Sequence, residues 1–165
     1  MQTESTLLNL VSGWHRELDA LFALHQDAIL RGALDEAAER LEHYIARHQQ
    51  HSAFEDEWLL PALATLDDPG PWPAAVYARE HDKIRDLLEK TRTRLSDIRR
   101  RNPADRPLRA ALIGLLDDEK TLKGVCAHHQ EREEKGLLPA LDRDTSPQWH
   151  RQAMHAGTCC AGSSA

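Results

Sequence analysis

The sequence predicts an all-α fold, a four-helix bundle with up-down-up-down topology. Apolar residues recur at three- and four-residue steps over four long segments, which is the period of an amphipathic helix. The connections between these segments are short, as they are between antiparallel neighbours in a bundle. The chain has only 8 glycines and 8 prolines among 165 residues. That composition and the lack of strand alternation argue against a fold of many short strands.

The first two predicted helices cover about residues 5–31 and 34–66. The apolar face of the first is formed by Leu7, Leu10, Trp14, Leu18, Leu21, His25 and Ile29. Gly32 is a natural stop after it, and the Asp-Asp-Pro-Gly-Pro stretch at 67–71 ends the second helix. Because a proline inside a helix lacks the amide donor, we expect a kink or a restart at Pro61.

The third and fourth predicted helices cover about residues 73–101 and 106–142. The third has an apolar face at Tyr77, His81, Ile84, Leu88, Leu95 and Ile98, and its opposite face is strongly charged. The fourth has apolar or special positions at Leu108, Leu112, Leu115, Leu122, Cys126, His129, Glu133 and Leu137. We therefore expect one domain over residues 1–145, followed by a partly disordered C-terminal extension at 146–165 with a tail of small residues.

Charge and hydropathy exclude several classes of partner. The formal net charge of −6 argues against nucleic acid or an anionic membrane as the main partner. No segment resembles a signal peptide, and no apolar run approaches the roughly 20 residues that a membrane-spanning helix needs. The three cysteines, two of them adjacent, do not make a disulfide framework. We therefore expect a cytoplasmic protein.

An internal repeat carries the chemistry. Segments starting at His51 and His129, 78 residues apart, each have Glu four residues later, a second acidic residue, and then Leu-Leu-Pro-Ala-Leu. Residues i and i+4 lie one turn apart on the same helix face, so His51 and Glu55 can reach one metal centre, as can His129 and Glu133. Two such helices facing each other across a bundle bring these four side chains to a shared site.

The first and third helices each add one histidine from an apolar face, His25 and His81. A buried imidazole without a partner costs free energy, so ligation gives both a role. In this scheme the two motif glutamates bridge two metals. His25 joins His51 at one metal, and His81 joins His129 at the other. An oxo, hydroxo or water bridge would bring each metal to five ligands and leave room for a further one. Imidazole and carboxylate suit iron, and also manganese or zinc.

The order His, His-x-x-x-Glu, His, His-x-x-x-Glu resembles the hemerythrin-like (HHE cation-binding) family over about residues 10–142. The resemblance implies two non-haem iron ions bridged by Glu55 and Glu133, and chemistry with dioxygen, peroxide or nitric oxide. Oxygen-carrying members have a further histidine on the third helix, one turn before the position of His81. Tyr77 occupies that place here, which argues against reversible oxygen carriage and favours redox turnover; whether Tyr77 itself ligates is left open.

Several readings of function remain open at this point. The chain can be an oxidoreductase that consumes peroxide or nitric oxide, or a module that senses iron or oxygen through a protein partner. It can also handle iron or repair iron–sulfur clusters, a role at which Cys159 and Cys160 hint. A metal-free structural bundle is the alternative to all three.

Other polar residues near the motifs receive weaker predictions. His48 and Cys126 are equivalent under the 78-residue offset, each three residues before a motif histidine. Either could be an outer donor to the site, and we favour a packed core edge for Cys126. We expect solvated or surface positions for His15, His43, His128, Asp56 and Glu134. Glu80, beside His81, is either an outer carboxylate of the site or a surface charge, and we favour the surface charge.

Overall fold

A computed structural model describes residues 7–101 and 104–143 as a four-helix bundle, which confirms the predicted fold class. Its elements are α1 (Leu7–Leu30), α2 (Leu34–Phe54), a π-helical turn π1 (Glu55–Leu59), α3 (Leu60–Ala64), α4 (Ala74–Arg101), α5 (Asp105–Arg132), a second π-helical turn π2 (Glu133–Leu137) and α6 (Leu138–Arg143). α1 packs against α2 and α5, and α4 packs against the same two helices. Gly32 ends the first helix as predicted, with a left-handed φ of 71° that favours glycine.

The bundle interior consists of two apolar clusters. One of them, called the lower cluster below, is built around Leu18, Phe22, Leu41, Tyr44, Ile84, Leu88, Leu95, Leu115 and Leu122. The upper cluster is built around Leu7, Val11, Trp14, Phe54, Leu59, Leu63, Tyr77, Leu137 and Leu141. Along each long helix, the residues that face the bundle interior belong first to one cluster and then to the other, and a histidine or a glutamate lies between the two sets. A buried polar layer therefore lies between the clusters.

Both repeat segments contain a π turn at the same place. The amide of Leu60 bonds to the carbonyl of Glu55, and the amide of Leu138 bonds to the carbonyl of Glu133. Each bond spans five residues, and a proline follows one position later. Because a proline ring clashes with the carbonyl four residues earlier in an α-helix, the wider turn accommodates it. The disturbance expected at Pro61 thus takes the form of a π turn, an element that is often found at functional sites.

The segment between α3 and α4 closes over π2. A Cβ at Gly136 would lie 2.7 Å from Trp72 Cε3 and 2.9 Å from Tyr77 Oη, so only glycine permits this approach. The equivalent residue of π1 is Trp58. Packing around the two π turns is therefore not symmetric, although their backbones are alike.

None of the described helices is long and apolar enough to cross a membrane. The predicted extension at 146–165 lies outside the described residues, together with Cys159 and Cys160, so its predicted disorder stays a prediction.

Candidate metal centre

Six titratable side chains form the polar layer between the two apolar clusters. Their exposed fractions range from 0% to 3%, and they are His15, His51, Glu55, His81, His129 and Glu133. α1 and α4 each supply one histidine. α2 and α5 each supply a histidine from the last turn, and the glutamate that follows opens π1 or π2. Such a concentration of buried ionisable groups requires partners of opposite charge.

Their donor atoms fall into two overlapping groups, each of which could hold a metal ion. The first group is His15, His51, Glu55 and Glu133, and the second is Glu55, His81, His129 and Glu133. Within each group the donor atoms lie within 4.8 Å of one another. Both glutamates belong to both groups, which is the arrangement of a bridged pair of sites.

Each carboxylate turns one oxygen toward each group. Glu133 Oε2 is 3.0 Å from His15 Nε2, and its Oε1 is 2.8 Å from His129 Nε2. Glu55 Oε1 is 3.3 Å from His51 Nε2, and its Oε2 is 3.0 Å from His81 Nε2. The two glutamates therefore span the space between the two histidine pairs from opposite helices.

In three of the four imidazoles, the ring nitrogen that faces away from the centre is hydrogen-bonded to a carboxylate. His15 Nδ1 bonds to Glu134 at 2.8 Å, His81 Nδ1 to Asp56 at 2.7 Å, and His129 Nδ1 to Glu80 at 3.0 Å. Because each Nδ1 faces an outer carboxylate, each Nε2 points into the layer, as in carboxylate–histidine–metal arrangements. Asp56 and Glu134 have exposed side chains, as predicted, but each also orients a ring of the centre. Glu80 is only 15% exposed and takes the role of an outer carboxylate, which was the less favoured alternative.

His51 is the exception. Among the described residues its Nδ1 has no hydrogen-bond partner. The indole of Trp14 meets the imidazole edge to face instead, with ring centroids 5.6 Å apart, and also packs on Phe54. The His51 ring is thus oriented by apolar packing rather than by an anion.

The donor atoms fit a cation. His81 Nε2 and His129 Nε2 lie 3.0 Å apart although both Nδ1 atoms are already used outward, so the two inward nitrogens converge on the same space. Buried acceptor atoms without a hydrogen bond include His15 Nε2, His51 Nε2, Glu55 Oε1 and both Glu133 oxygens. A bound cation satisfies these atoms together, whereas hydrogen bonds among acceptors cannot.

The pKa shifts of the buried histidines and glutamates also show that this layer favours positive charge. Burial by itself lowers the pKa of His129, but Glu133 and Glu55 outweigh it and raise that pKa to about 10. Burial opposes ionisation of Glu133, yet His129 and His15 hold the pKa of its carboxyl below the usual range. At His51, by contrast, burial lowers the pKa to about 3 and Glu55 offsets only part of that effect. The imidazole without a carboxylate behind it is the one that stays neutral.

The structure brings five of the six predicted ligands together and places His25 elsewhere. Within the lower cluster, His25 Nδ1 donates to the Ala37 carbonyl at 2.7 Å, and a 2.9 Å hydrogen bond joins its Nε2 to Glu119. The pairing of His25 with His51 is therefore wrong. His15, predicted to be solvated, is only 3% exposed and occupies the place in the centre that was predicted for His25.

The other weaker predictions have mixed outcomes. The Tyr77 hydroxyl donates to the Arg132 carbonyl at 3.3 Å, while burial, followed by Glu133, raises its pKa to about 12. It is therefore a phenol bonded to the backbone. Cys126 is a packed core edge, as favoured, with Sγ 3.7 Å from Tyr44 Oη. His48 is buried beside His51, with ring centroids 6.3 Å apart. The side chain of His128 is solvated, as predicted.

A helical bundle whose facing helices supply paired histidines and glutamates to a buried layer is the architecture of a cation-binding bundle protein. The chain matches the Hemerythrin HHE cation binding domain family over residues 6–142. Because the match covers most of its length, the chain belongs to that family. Comparisons with curated proteins and with solved structures give no significant match.

Proposed function

We propose that this is a non-haem di-iron protein that binds a small oxidant, dioxygen, peroxide or nitric oxide, and reduces it. One observation carries the proposal. Glu55 and Glu133 each present one oxygen to each of two histidine pairs. A single metal ion would use half of this arrangement, whereas a bridged pair uses all of it. Imidazole and carboxylate donors without a thiolate suit iron, and the family match supports a bound cation.

The residues of the chain would prepare the centre for that chemistry. When bound, an iron pair supplies electrons to a small ligand and a position at which the ligand can bind. Glu55 and Glu133 would hold both positions at a fixed separation. The outward hydrogen bonds from three of the imidazoles fix these rings with Nε2 facing inward and raise the basicity of that nitrogen. The two apolar clusters above and below the layer limit the access of water to it.

The orientation of Tyr77 supports turnover rather than carriage. Its hydroxyl is bonded to the Arg132 carbonyl, so it does not fill the place of a ligand. Four imidazoles and two carboxylates then serve two metals, which leaves each metal with room for a further ligand. Open positions at both metals favour reaction over a single reversible binding event.

The experiment measures iron content and the optical spectrum of protein expressed with added iron. We expect about two iron ions per chain and near-ultraviolet bands of a bridged ferric pair. The double variant Glu55→Ala/Glu133→Ala should lose both signals. The matched control, Glu39→Ala/Glu131→Ala, changes exposed acids on the same two helices and should keep them. Wild-type protein without iron, or a double variant with unchanged iron, would rule out the di-iron proposal.

A second measurement separates reduction from binding. Iron-loaded protein is mixed with a chemical reductant and excess hydrogen peroxide, or with the same reductant and nitric oxide, and the consumption of both oxidant and reductant is followed over time. Consumption well beyond the iron concentration supports an oxidoreductase. Uptake that stops at one ligand per centre would restrict the function to binding.

A further inference from the structure

Two surface grooves lie on opposite sides of the bundle at the level just below the polar layer. The α2/α4 groove has a volume of about 360 Å³, and its lining includes His48, Gln49 and His81. The α1/α5 groove has a volume of about 340 Å³, and its lining includes Phe22, Tyr44, Leu122, Cys126 and Ala127. The internal repeat relates them, because His48 and Gln49 of one correspond to Cys126 and Ala127 of the other.

Only the α2/α4 groove, of these two, reaches a residue of the metal centre. His81, whose Nε2 faces Glu55, forms part of its lining. His48 lines the same groove, is 6% exposed, and lies with its ring 6.3 Å from that of His51. Among the described residues, no hydrogen bond is made by the His48 ring. Neither ring nitrogen of His48 is among the buried atoms without a partner, so the edge of the ring opens to the groove, where a small ligand on its way to the centre can accept a hydrogen bond from it.

The α1/α5 groove ends differently. Its floor is closed by Phe22, Tyr44 and Leu122, and the Cys126 thiol is already in contact with the Tyr44 hydroxyl. A wider depression between α1 and α5 lies over His15. There Glu134 is bonded to the outward nitrogen of the imidazole, so this ring offers no free donor to a ligand. The unpartnered donor therefore lies on the α2/α4 side.

We propose that the small ligand enters through the α2/α4 groove and that His48 donates a ring N–H hydrogen bond to it at the metal centre. This inference rests on the proposed di-iron function. An imidazole carries at least one N–H in either protonation state, so the donor is always present. The ligand class is a small molecule with an acceptor atom beyond the one bound to metal, such as peroxide, or azide as a stable probe.

Azide affinity of the oxidised, iron-loaded protein tests the role of His48. Iron content is measured first in every variant, and azide binding is then followed by its optical change. His48→Leu removes the donor and should weaken azide binding about ten-fold or more, the effect of one hydrogen bond to a charged ligand. His48→Gln keeps an N–H and should recover most of the affinity. Cys126→Ala, at the equivalent position of the other groove, should bind azide as wild type does.

Azide association rates test the route. Gln49→Trp would fill the α2/α4 groove, and Ala127→Trp would fill the α1/α5 groove at the equivalent exposed position. The first should slow association several-fold, and the second should leave the rate unchanged. Because both changes are at exposed positions, they test the route even if the His48 variants do not fold. Equal rates in the two variants would overturn the proposed route.

The outcomes separate this inference from the proposed function. If wild-type protein holds no iron, the proposed function fails and this inference with it. If wild-type and His48→Leu both hold iron and bind azide equally, the role of His48 is overturned while the di-iron function stands. Loss of iron from both His48 variants would also overturn it, because His48 would then help to hold the metal.

Discussion

The two halves of the centre are related by the repeat but are supported differently. In the carboxylate-backed half, formed by His81 and His129, both imidazoles donate to a carboxylate. In the mixed half, formed by His15 and His51, only the first does so. The difference can be traced to one pair of corresponding positions, immediately before the α4 and α1 histidines, where the carboxylate-backed half has an acid and the mixed half has an indole.

Glu80 and Trp14 occupy these two positions. Glu80 accepts from His129 and is also paired with Arg132, whereas Trp14 packs against His51 and Phe54. Both fix a ring, but only the carboxylate adds negative charge to it. An anionic partner raises the basicity of the inward nitrogen, and an apolar partner does not. We therefore expect the carboxylate-backed half to bind a metal ion more tightly than the mixed half.

The largest expected effect is the loss of one metal from one half. Titration of metal-free protein with cobalt(II), followed by its visible spectrum, should show a tight step and a weaker step. His129→Ala should abolish the tight step, and His51→Ala should abolish the weaker step and keep the tight one. His128→Ala, an exposed histidine next to the centre, should retain both steps. If both ligand variants lost the same step, the two halves would not be distinct.

The next effect comes from removing the carboxylate that distinguishes the halves. Glu80→Gln should weaken the tight step by about 10- to 100-fold, the usual effect of losing an outer partner of a metal-bound histidine. The metal affinities of the two steps would then become more alike. Glu89→Gln on the exposed side of α4 is the matched control. A tight step that stays unchanged in Glu80→Gln would show that this carboxylate does not set the difference.

Most of the fold could be predicted from the sequence, since four long apolar periods with short connections leave few arrangements of the chain. The helices that confirm it begin and end within a few residues of the predicted limits. The π turns could not be predicted as such. The sequence indicated only that Pro61 disturbs the helix, and whether a helix breaks or widens at a proline depends on the packing around it.

The misplaced ligand shows where periodicity is insufficient. His25 and His15 both lie on or near the apolar side of α1, so the face alone does not separate them. Their level in the bundle does. His15 precedes Gly32 by 17 residues and His51 follows it by 19, whereas His25 precedes it by only 7. Because antiparallel helices have equal rise, residues at equal distances from the turn lie side by side. Counting from the turn would have selected His15.

The outer carboxylates were missed for a different reason. Asp56 and Glu134 each follow a motif glutamate and have side chains about two-fifths exposed, which is how surface acids look in sequence. Their partners, His81 and His15, come from other helices. Only the relative rotation of the helices, which the sequence period does not specify, shows that the acid after each glutamate reaches a neighbouring imidazole.

A smaller effect is expected from the carboxylate behind His15. Glu134→Gln should weaken the second metal step by less than Glu80→Gln weakens the first, about ten-fold at most, because the side chain of Glu134 is 40% exposed and solvent screens it. Cobalt titration measures this step. Glu131→Gln, an exposed acid one turn earlier, is the control. If Glu134→Gln weakened the tight step instead, Glu134 would not belong to the mixed half, and this prediction would be wrong.

The smallest effect is a difference in proton release, of about one proton between the two steps. A metal-bound imidazole must lose any proton on its inward nitrogen. His129, whose pKa is raised to about 10, is protonated at neutral pH in the metal-free chain, whereas His51, with a pKa of about 3, is not. The tight step should therefore release more protons and strengthen as pH rises toward 10. The measurement is cobalt titration in weak buffer with a pH indicator. Equal proton release in both steps would show that the outer carboxylates do not cause a difference in protonation between the two halves.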